Sequence, residues 1–324
     1  MPERRGRGRV AGELNARQII LVAVLLASAV CHAQPGPRSG RPGNLVRIEG
    51  GQVVNEDELR TARETASHAT GNANWTNTAG FEWDCFTFTR VVFKSDPGPA
   101  ANRGRLRWLG WWVDYPDADL NFSFRLQQLT SIRADPDGRV LKFTDPMLSR
   151  YPMLYIEHAG YMRLSDGEVL ALRKYLRNGG VMFVNDFWGT EEWEGFAREM
   201  GRVLPEQTWT NLTTAHPVFH SVFDLRGPMR RFQVPTLQFW NPDHDPDDPR
   251  SPPLQGVDRG VGSAEMHVRA LLDDRQRVMV LAVHNSDLGD GWEREGQNED
   301  YFNTFSEKIA YPFGINIVFY LMTH

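Results

Sequence analysis

The sequence predicts an α/β fold with parallel strands. Three observations carry that prediction: two short apolar runs, a capped amphipathic helix between them, and connections of few residues. All lie between Tyr151 and Gly189. Met153–Ile156 and Val181–Val184 have the length and composition of strands buried on both faces. Between them Ser165 stands at an N-cap position with Glu168 three residues on. In that pattern a hydroxyl and a carboxylate satisfy the free N–H groups of a helix's first turn. Val169, Leu172 and Leu176 form one apolar stripe. Asn178-Gly179-Gly180 then supplies the left-handed residue that a C-cap needs. A strand–helix–strand unit with such short links implies parallel strands and a right-handed crossover. In open parallel sheets ligands sit beyond the carboxyl ends of strands, so Glu157-His158 and Asn185-Asp186 fall where a site belongs.

From the beginning of the chain, 324 residues at 41% apolar content suffice for a sizeable core. Residues 1–33 read as a signal peptide. Arg4, Arg5, Arg7, Arg9 and Arg17 make a basic start, Ile19–Val30 is an apolar run, and Cys31-His32-Ala33 offers small residues to a signal peptidase. The run is shorter than the ~20 residues of a spanning helix. Export to the periplasm or the exterior is therefore favoured over an uncleaved signal anchor. It is also favoured over a lipoprotein built on Cys31, because Val30 suits that cleavage poorly. Cleavage after Ala33 removes five arginines and the acidic Glu3 and Glu13, taking the net charge from −5 to −8. Such a balance argues against nucleic-acid binding, which needs a basic footprint. Cys85 is then the lone cysteine, so no intrachain disulfide staples the fold, and it reads as a small buried apolar residue.

Residues 34–80 read as a linker or polar N-terminal extension, and 81–324 as a single α/β domain. Asn55–Thr70 has the composition of a polar helix, but almost no apolar face, which leaves disorder or ordering on a partner as alternatives. Phe86–Phe93 is the first strand. Leu120–Leu129 has helical spacing, with Asp117 placed to cap it and Asp119 to face its N-terminal dipole. Asp114, just upstream, is the remaining acid of that group and a candidate for ligand or metal contact. A turn at Asp135–Gly138 leads to the strand Val140–Phe143, and Glu191–Met200 is an amphipathic helix. In the loop Asn241–Pro253, Asp243, Asp245 and Asp247 begin like a calcium loop. Asp248 and Leu254 stand where that loop needs glycine and a bidentate glutamate, so a solvated loop is favoured. Ala264–Leu272 and Val278–His284 form a hairpin or two sheet strands, and Ile309–Met322 a buried closing helix.

From about Phe86 to His324 the sequence resembles the bacterial domain of unknown function 4159 family. The matching pieces are Trp112-Val-Asp-Tyr-Pro-Asp-Ala-Asp119, Thr144-Asp-Pro146 with Tyr151-Pro152, and Leu176-Arg-Asn-Gly-Gly180 leading to Asn185-Asp186. His216-Pro-Val-Phe219, His284-Asn-Ser-Asp287 with Trp292-Glu293, and Gly314-Ile-Asn316 through Tyr320-Leu-Met-Thr-His324 follow in order. The resemblance implies a three-layer α/β fold with a mostly parallel sheet, similar to flavodoxin-like and class I glutamine amidotransferase-like domains and to trehalose-utilisation-type proteins. No activity comes with it. Amidotransferases carry a cysteine on the elbow after a central strand, whereas this chain has Asn185-Asp186-Phe187-Trp188 there. Thiol nucleophilic catalysis at that elbow is excluded on chemistry.

Two functions compete. The favoured one is an exported, non-catalytic module binding an unknown small molecule or envelope protein. Asp186, Trp188, His216 and Trp292 are its candidate contacts, and Trp111 a further aromatic. Core packing is nonetheless the favoured account of any one tryptophan, and a structural hydrogen-bonded role that of His216. The alternative is an envelope hydrolase, carboxylate- or metal-dependent, with Asp114, Glu157, His158, Asp186, His284 and Asp287 gathered at the strand ends. No compact ligand motif such as H-E-x-x-H occurs. No cofactor is therefore predicted and no metal ligands are assigned, with a divalent metal kept as an option.

Overall fold

Alternation along the strands divides the molecule into layers. The computed structural model describes residues 44–324 apart from 49–50, 72, 97–109, 246–247, 249 and 252–259. Residues 1–33, expected to be a signal peptide, with Cys31, and Asp247 and Leu254 of the aspartate-rich loop, lie outside the described residues. Seven strands form the main sheet in the order β5-β3-β6-β8-β11-β10-β9. They are β3 (Thr89–Val92), β5 (Arg139–Lys142), β6 (Met153–Glu157), β8 (Val181–Asn185), β9 (Trp209–Leu212), β10 (His267–Leu272) and β11 (Val278–His284). Strands β5, β3, β6, β8 and β11 run parallel, and β10 and β9 add antiparallel pairs at one edge. Two small pairings accompany it, β1 (Leu45–Arg47) with β2 (Val53–Asn55) and β4 (Lys94–Ser95) with β7 (Met162–Arg163).

Side chains two apart share a face of a strand. Leu154, Ile156, Met182, Val184, Val280 and Ala282 face one core, shared with helices α2 (Asp166–Arg177) and α3 (Gly189–Val203). Tyr155, Phe183, Leu281 and Val283 face the other, with α1 (Asp117–Leu129), α4 (Leu288–Glu293) and α5 (Tyr311–Thr323). The sheet is the middle of three layers. Helix α2 begins at the expected capping box. Ser165 Oγ accepts from the Glu168 N–H at 3.3 Å, and Glu168 Oε2 accepts from the Ser165 N–H at 2.8 Å.

Three local expectations change. Asn55–Thr70 forms no α-helix; it holds a 3-10 turn at Ala62–Glu64, and Leu59 and Ala62 are buried in the first core. With Leu59 its one large apolar side chain, it has no stripe to sustain a helix. Asp117 does not cap α1, whose N-cap is Pro116. Its Oδ1 instead accepts from the Ser67 hydroxyl and the His68 N–H, tying the N-terminal extension to the helix. The closing helix is preceded by a π-helical stretch, Phe302–Ala310, so its α-helical part begins at Tyr311.

Candidate acid-rich site at the carboxyl ends of the strands

In chain order the parallel strands are β3, β5, β6, β8 and β11. The chain places β5 on one side of β3 and then crosses to β6 on the other. Where strand order reverses in this way, a crevice opens beyond the strand ends. Here Arg90 of β3 fills that crevice, fully buried. Its Nε and NH2 donate to Asp119 at 2.6–3.0 Å, and NH1 donates to Glu157 Oε2 at 2.6 Å. NH1 also donates to the carbonyls of Trp111 and Val113, both at 2.9 Å. Bidentate geometry and saturated donors are what a buried guanidinium needs. Asp119 thus faces a side chain rather than only a helix dipole. Burial pushes its carboxyl up and the Arg90 charge opposes the shift.

The next three strands end alike. The residue after β6 is His158, after β8 Asp186, and after β11 Asn285, with φ of 52°, 49° and 60°. Asp114, at φ 58°, is left-handed too. Histidine, aspartate and asparagine are the non-glycine residues that enter this region most readily. The elbows are laced together. His158 N–H donates to the Asp186 carbonyl at 3.2 Å, Asp186 N–H to Ser286 at 3.3 Å, and Asn285 N–H to Phe187 at 3.0 Å. Each elbow turns the chain abruptly off its strand and sets a polar side chain at the sheet's edge.

The side chains of Asp114, His158 and Asp186 meet an acid layer, whereas Asn285 bonds the Gly189 N–H and the Gly262 and Glu265 carbonyls. Glu157 takes the Tyr155 hydroxyl on Oε1 and Arg90 on Oε2. His158 Nε2 lies 2.7 Å from Asp186 Oδ2, and Trp188 Nε1 donates to Asp186 Oδ1 at 2.6 Å. Asp287 caps α4, its Oδ1 accepting the Asp290 N–H at 2.8 Å while Thr236 donates to Oδ2 at 2.9 Å. Asp290 accepts from the Leu237 N–H at 2.6 Å and from Arg294 Nε at 3.0 Å. Asp114 Oδ2 is buried with no hydrogen-bond partner. Burial, reinforced by Glu157, Asp287, Glu293 and Asp290, pushes the Asp114 carboxyl far above its ordinary range. Burial also carries Glu157 up to about 7, against the pull of Arg90. Asp290 is raised for the same reason, with Arg294 opposing. Gly289 packs directly onto this layer, and a Cβ there would overlap Glu157 Oε1 and Asp114 Oδ2.

The structure therefore gathers Asp114, Glu157, His158, Asp186 and Asp287, and does not bring His284 or His216 to them. Alternation explains His284. It shares a face with Ala282, so its ring meets Phe187 and Trp193 at 4.9 and 5.5 Å on the α3 side. Nε2 bonds the Gly189 carbonyl, Nδ1 faces Arg269, and burial depresses the ring to about 3, keeping it neutral. His216 stacks edge-on to Tyr320, and its Nδ1 accepts the Val218 N–H. Trp111, Trp188 and Trp292 are all buried, with Trp292 in the second core against Phe122. Sequence reading missed Arg90, Asp290, Glu293 and Gly289. The signal for Arg90 was a lone charge inside the apolar run Phe86–Phe93; Asp290 was visible three residues after Asp287, but its role depends on a helix too short to read. A cleft of about 390 Å³ opens beside the layer, lined by His68, Tyr115, Pro116, Asp117, Glu293 and Arg294.

A model of the domain of unknown function family DUF4159 matches residues 105–322. The chain belongs to this family. The DUF4159 match includes Asp114, Glu157, His158, Asp186, Asp287 and Asp290 and leaves Arg90 outside it. No curated protein matches the sequence. Among the described residues, no helix is long and apolar enough to cross a membrane.

Proposed function

We propose that the protein is a binding module for a small positively charged ligand, held at the carboxyl ends of β6, β8 and β11. The observation that carries this reading is the charge of the acid layer. Asp114, Glu157, Asp290 and Glu293 are buried, and Asp114 lies within electrostatic reach of the other three; Arg90 pairs with Glu157, and Arg294 with Asp290 and Glu293. Arg90 is already matched by Asp119 and Glu157. Buried carboxylates without compensation either take up protons or attract a cation. A ligand that brings positive charge through the neighbouring cleft would relieve that cost.

The proposal is of binding without covalent catalysis. The elbow after β8, where an amidotransferase-like domain would place its thiol, holds Asp186, whose oxygens meet Trp188 and His158. Kinship with that fold and export to the cell envelope, read from residues 1–33, belong to the proposal. N-terminal sequencing of the protein recovered from an envelope fraction checks export: a start near Gln34 supports it and an intact Met1 contradicts it. The binding reading is tested by thermal shift of the purified chain against amines, divalent salts, neutral sugars and anionic nucleotides. A cation that stabilises and a carboxylate-to-amide change at Asp114 that abolishes the shift support it. Stabilisation by anions or neutral sugars alone would sink it.

A further inference from the structure

Asp114, Asp287 and Asp290 each present a carboxylate oxygen within 4.8 Å of the other two. All three residues are buried, none more than 2% exposed. The N–H of Asp290, the Thr236 hydroxyl, the Leu237 N–H and Arg294 Nε fix the orientation of Asp287 and Asp290. Asp114 is held differently. Its Oδ2 has no hydrogen-bond partner, and it lies against Gly289 of α4, where any Cβ would overlap it. A fully buried carboxylate oxygen left without a donor is among the costliest arrangements in a protein interior.

The geometry points to a divalent-cation site in which Asp114, Asp287 and Asp290 each give one oxygen. This deepens the cationic-ligand reading above and rests on it. Hard cations bind carboxylate oxygens at about 2.0–2.6 Å, which sets oxygens on opposite sides of the ion roughly 4–5 Å apart. Three oxygens mutually within 4.8 Å fit that spacing. The donors are all oxygen, which selects magnesium, calcium or manganese over thiophilic metals. His158 follows β6 beside this layer, and its Nε2 is engaged with Asp186. The Asp114 oxygen without a donor becomes a ligand, and Gly289 is the residue that leaves room for it. Water would fill the remaining positions on the ion.

The test uses the full chain, stripped with EDTA, in calorimetric titration and thermal shift with magnesium, calcium and manganese chlorides. Putrescine at matched ionic strength serves as an organic cation. One of the metals should bind one ion per chain and raise the melting temperature. Asp114→Asn should weaken that binding at least roughly 100-fold, the upper end of what a mere supporting residue costs. Metal affinity unchanged in Asp114→Asn overturns the inference. If putrescine stabilises the protein and no metal does, the metal site falls while the cationic-ligand reading stands; if neither does, both fall. Should Asp114→Asn not fold, electron paramagnetic resonance of manganese with the wild-type chain decides the point. Loss of the free-ion signal at one equivalent supports the site, and an undiminished free-ion signal overturns it.

Discussion

The β3 side and the α4 side of the acid layer bury carboxylates to the same depth and treat their charge in opposite ways. On the β3 side, Arg90 meets Asp119 through two donors and Glu157 through a third, and its remaining contacts are backbone carbonyls. On the α4 side, Asp114 faces Glu157, Asp287, Asp290 and Glu293 and leaves an oxygen without a partner. The first arrangement is self-contained and structural. The second leaves Asp114 to be neutralised by a proton or, in the reading proposed above, by a cation. Equal burial with unequal compensation is how a single layer can supply both a fold determinant and a site.

The largest effect should come from breaking the compensated side. Arg90→Met leaves Asp119 and Glu157 buried without their cation and should cost about 3–5 kcal/mol in urea unfolding; a loss below about 1 kcal/mol would show that the carboxylates are not charged there. The pH dependence follows from Glu157, whose folded value of about 7 lies above its ordinary 4.5. A raised carboxyl contributes stability that is fully present below 4.5 and is lost as pH climbs towards about 7. Burial and like charges raise Asp114 and Asp290 in the same direction. The cation-free protein should therefore lose stability across that window, on the order of 3 kcal/mol for Glu157 alone, and its melting temperature should fall with it. A bound cation should flatten the slope.

Gly289→Ala sharpens the comparison because its Cβ projects onto Glu157 and Asp114 together. The overlap should cost about 1–3 kcal/mol and weaken cation binding, read by thermal shift with and without the salt. Asp114→Asn should be neutral or stabilising by up to about 1 kcal/mol in the cation-free protein, since it removes repulsion rather than a bond. The opposite sign to Arg90→Met is the point of that experiment. His284→Ala faces the other core. It should leave ligand affinity within about twofold, as independent sites do, while lowering stability through its lost contacts with Phe187 and Trp193.

Much of the architecture was legible because local rules and burial agree. The apolar runs Met153–Ile156 and Val181–Val184 became adjacent parallel strands, and the Ser165–Glu168 box and Gly179 bounded the helix between them. The ends of those strands pointed to Glu157, His158 and Asp186 for the same reason. His284 was grouped with them by its place at a strand end, but a side chain at a strand end can face either layer, and alternation with Val283 sends it to α3. Composition does not show depth: it leaves Trp188 and Trp292 as candidate contacts, with core packing the favoured account of either, and both are buried. Arg90, Gly289 and Asp290 act through contacts between distant parts of the chain, and no local pattern marks such a contact. Asp117 looked like a cap and instead anchors Ser67 and His68, a partner some fifty residues away.

The central claim is that protons and a cation compete for one buried acid cluster. Calorimetric titration of the EDTA-treated chain at pH 6, in two buffers of different ionisation enthalpy, counts the protons released on binding. Release by the wild-type protein, reduced in Asp114→Asn, is the predicted result, because carboxyls raised by burial hold protons that a cation must displace. Cation binding without any proton release, identical in Asp114→Asn, would place the cation elsewhere and contradict the account.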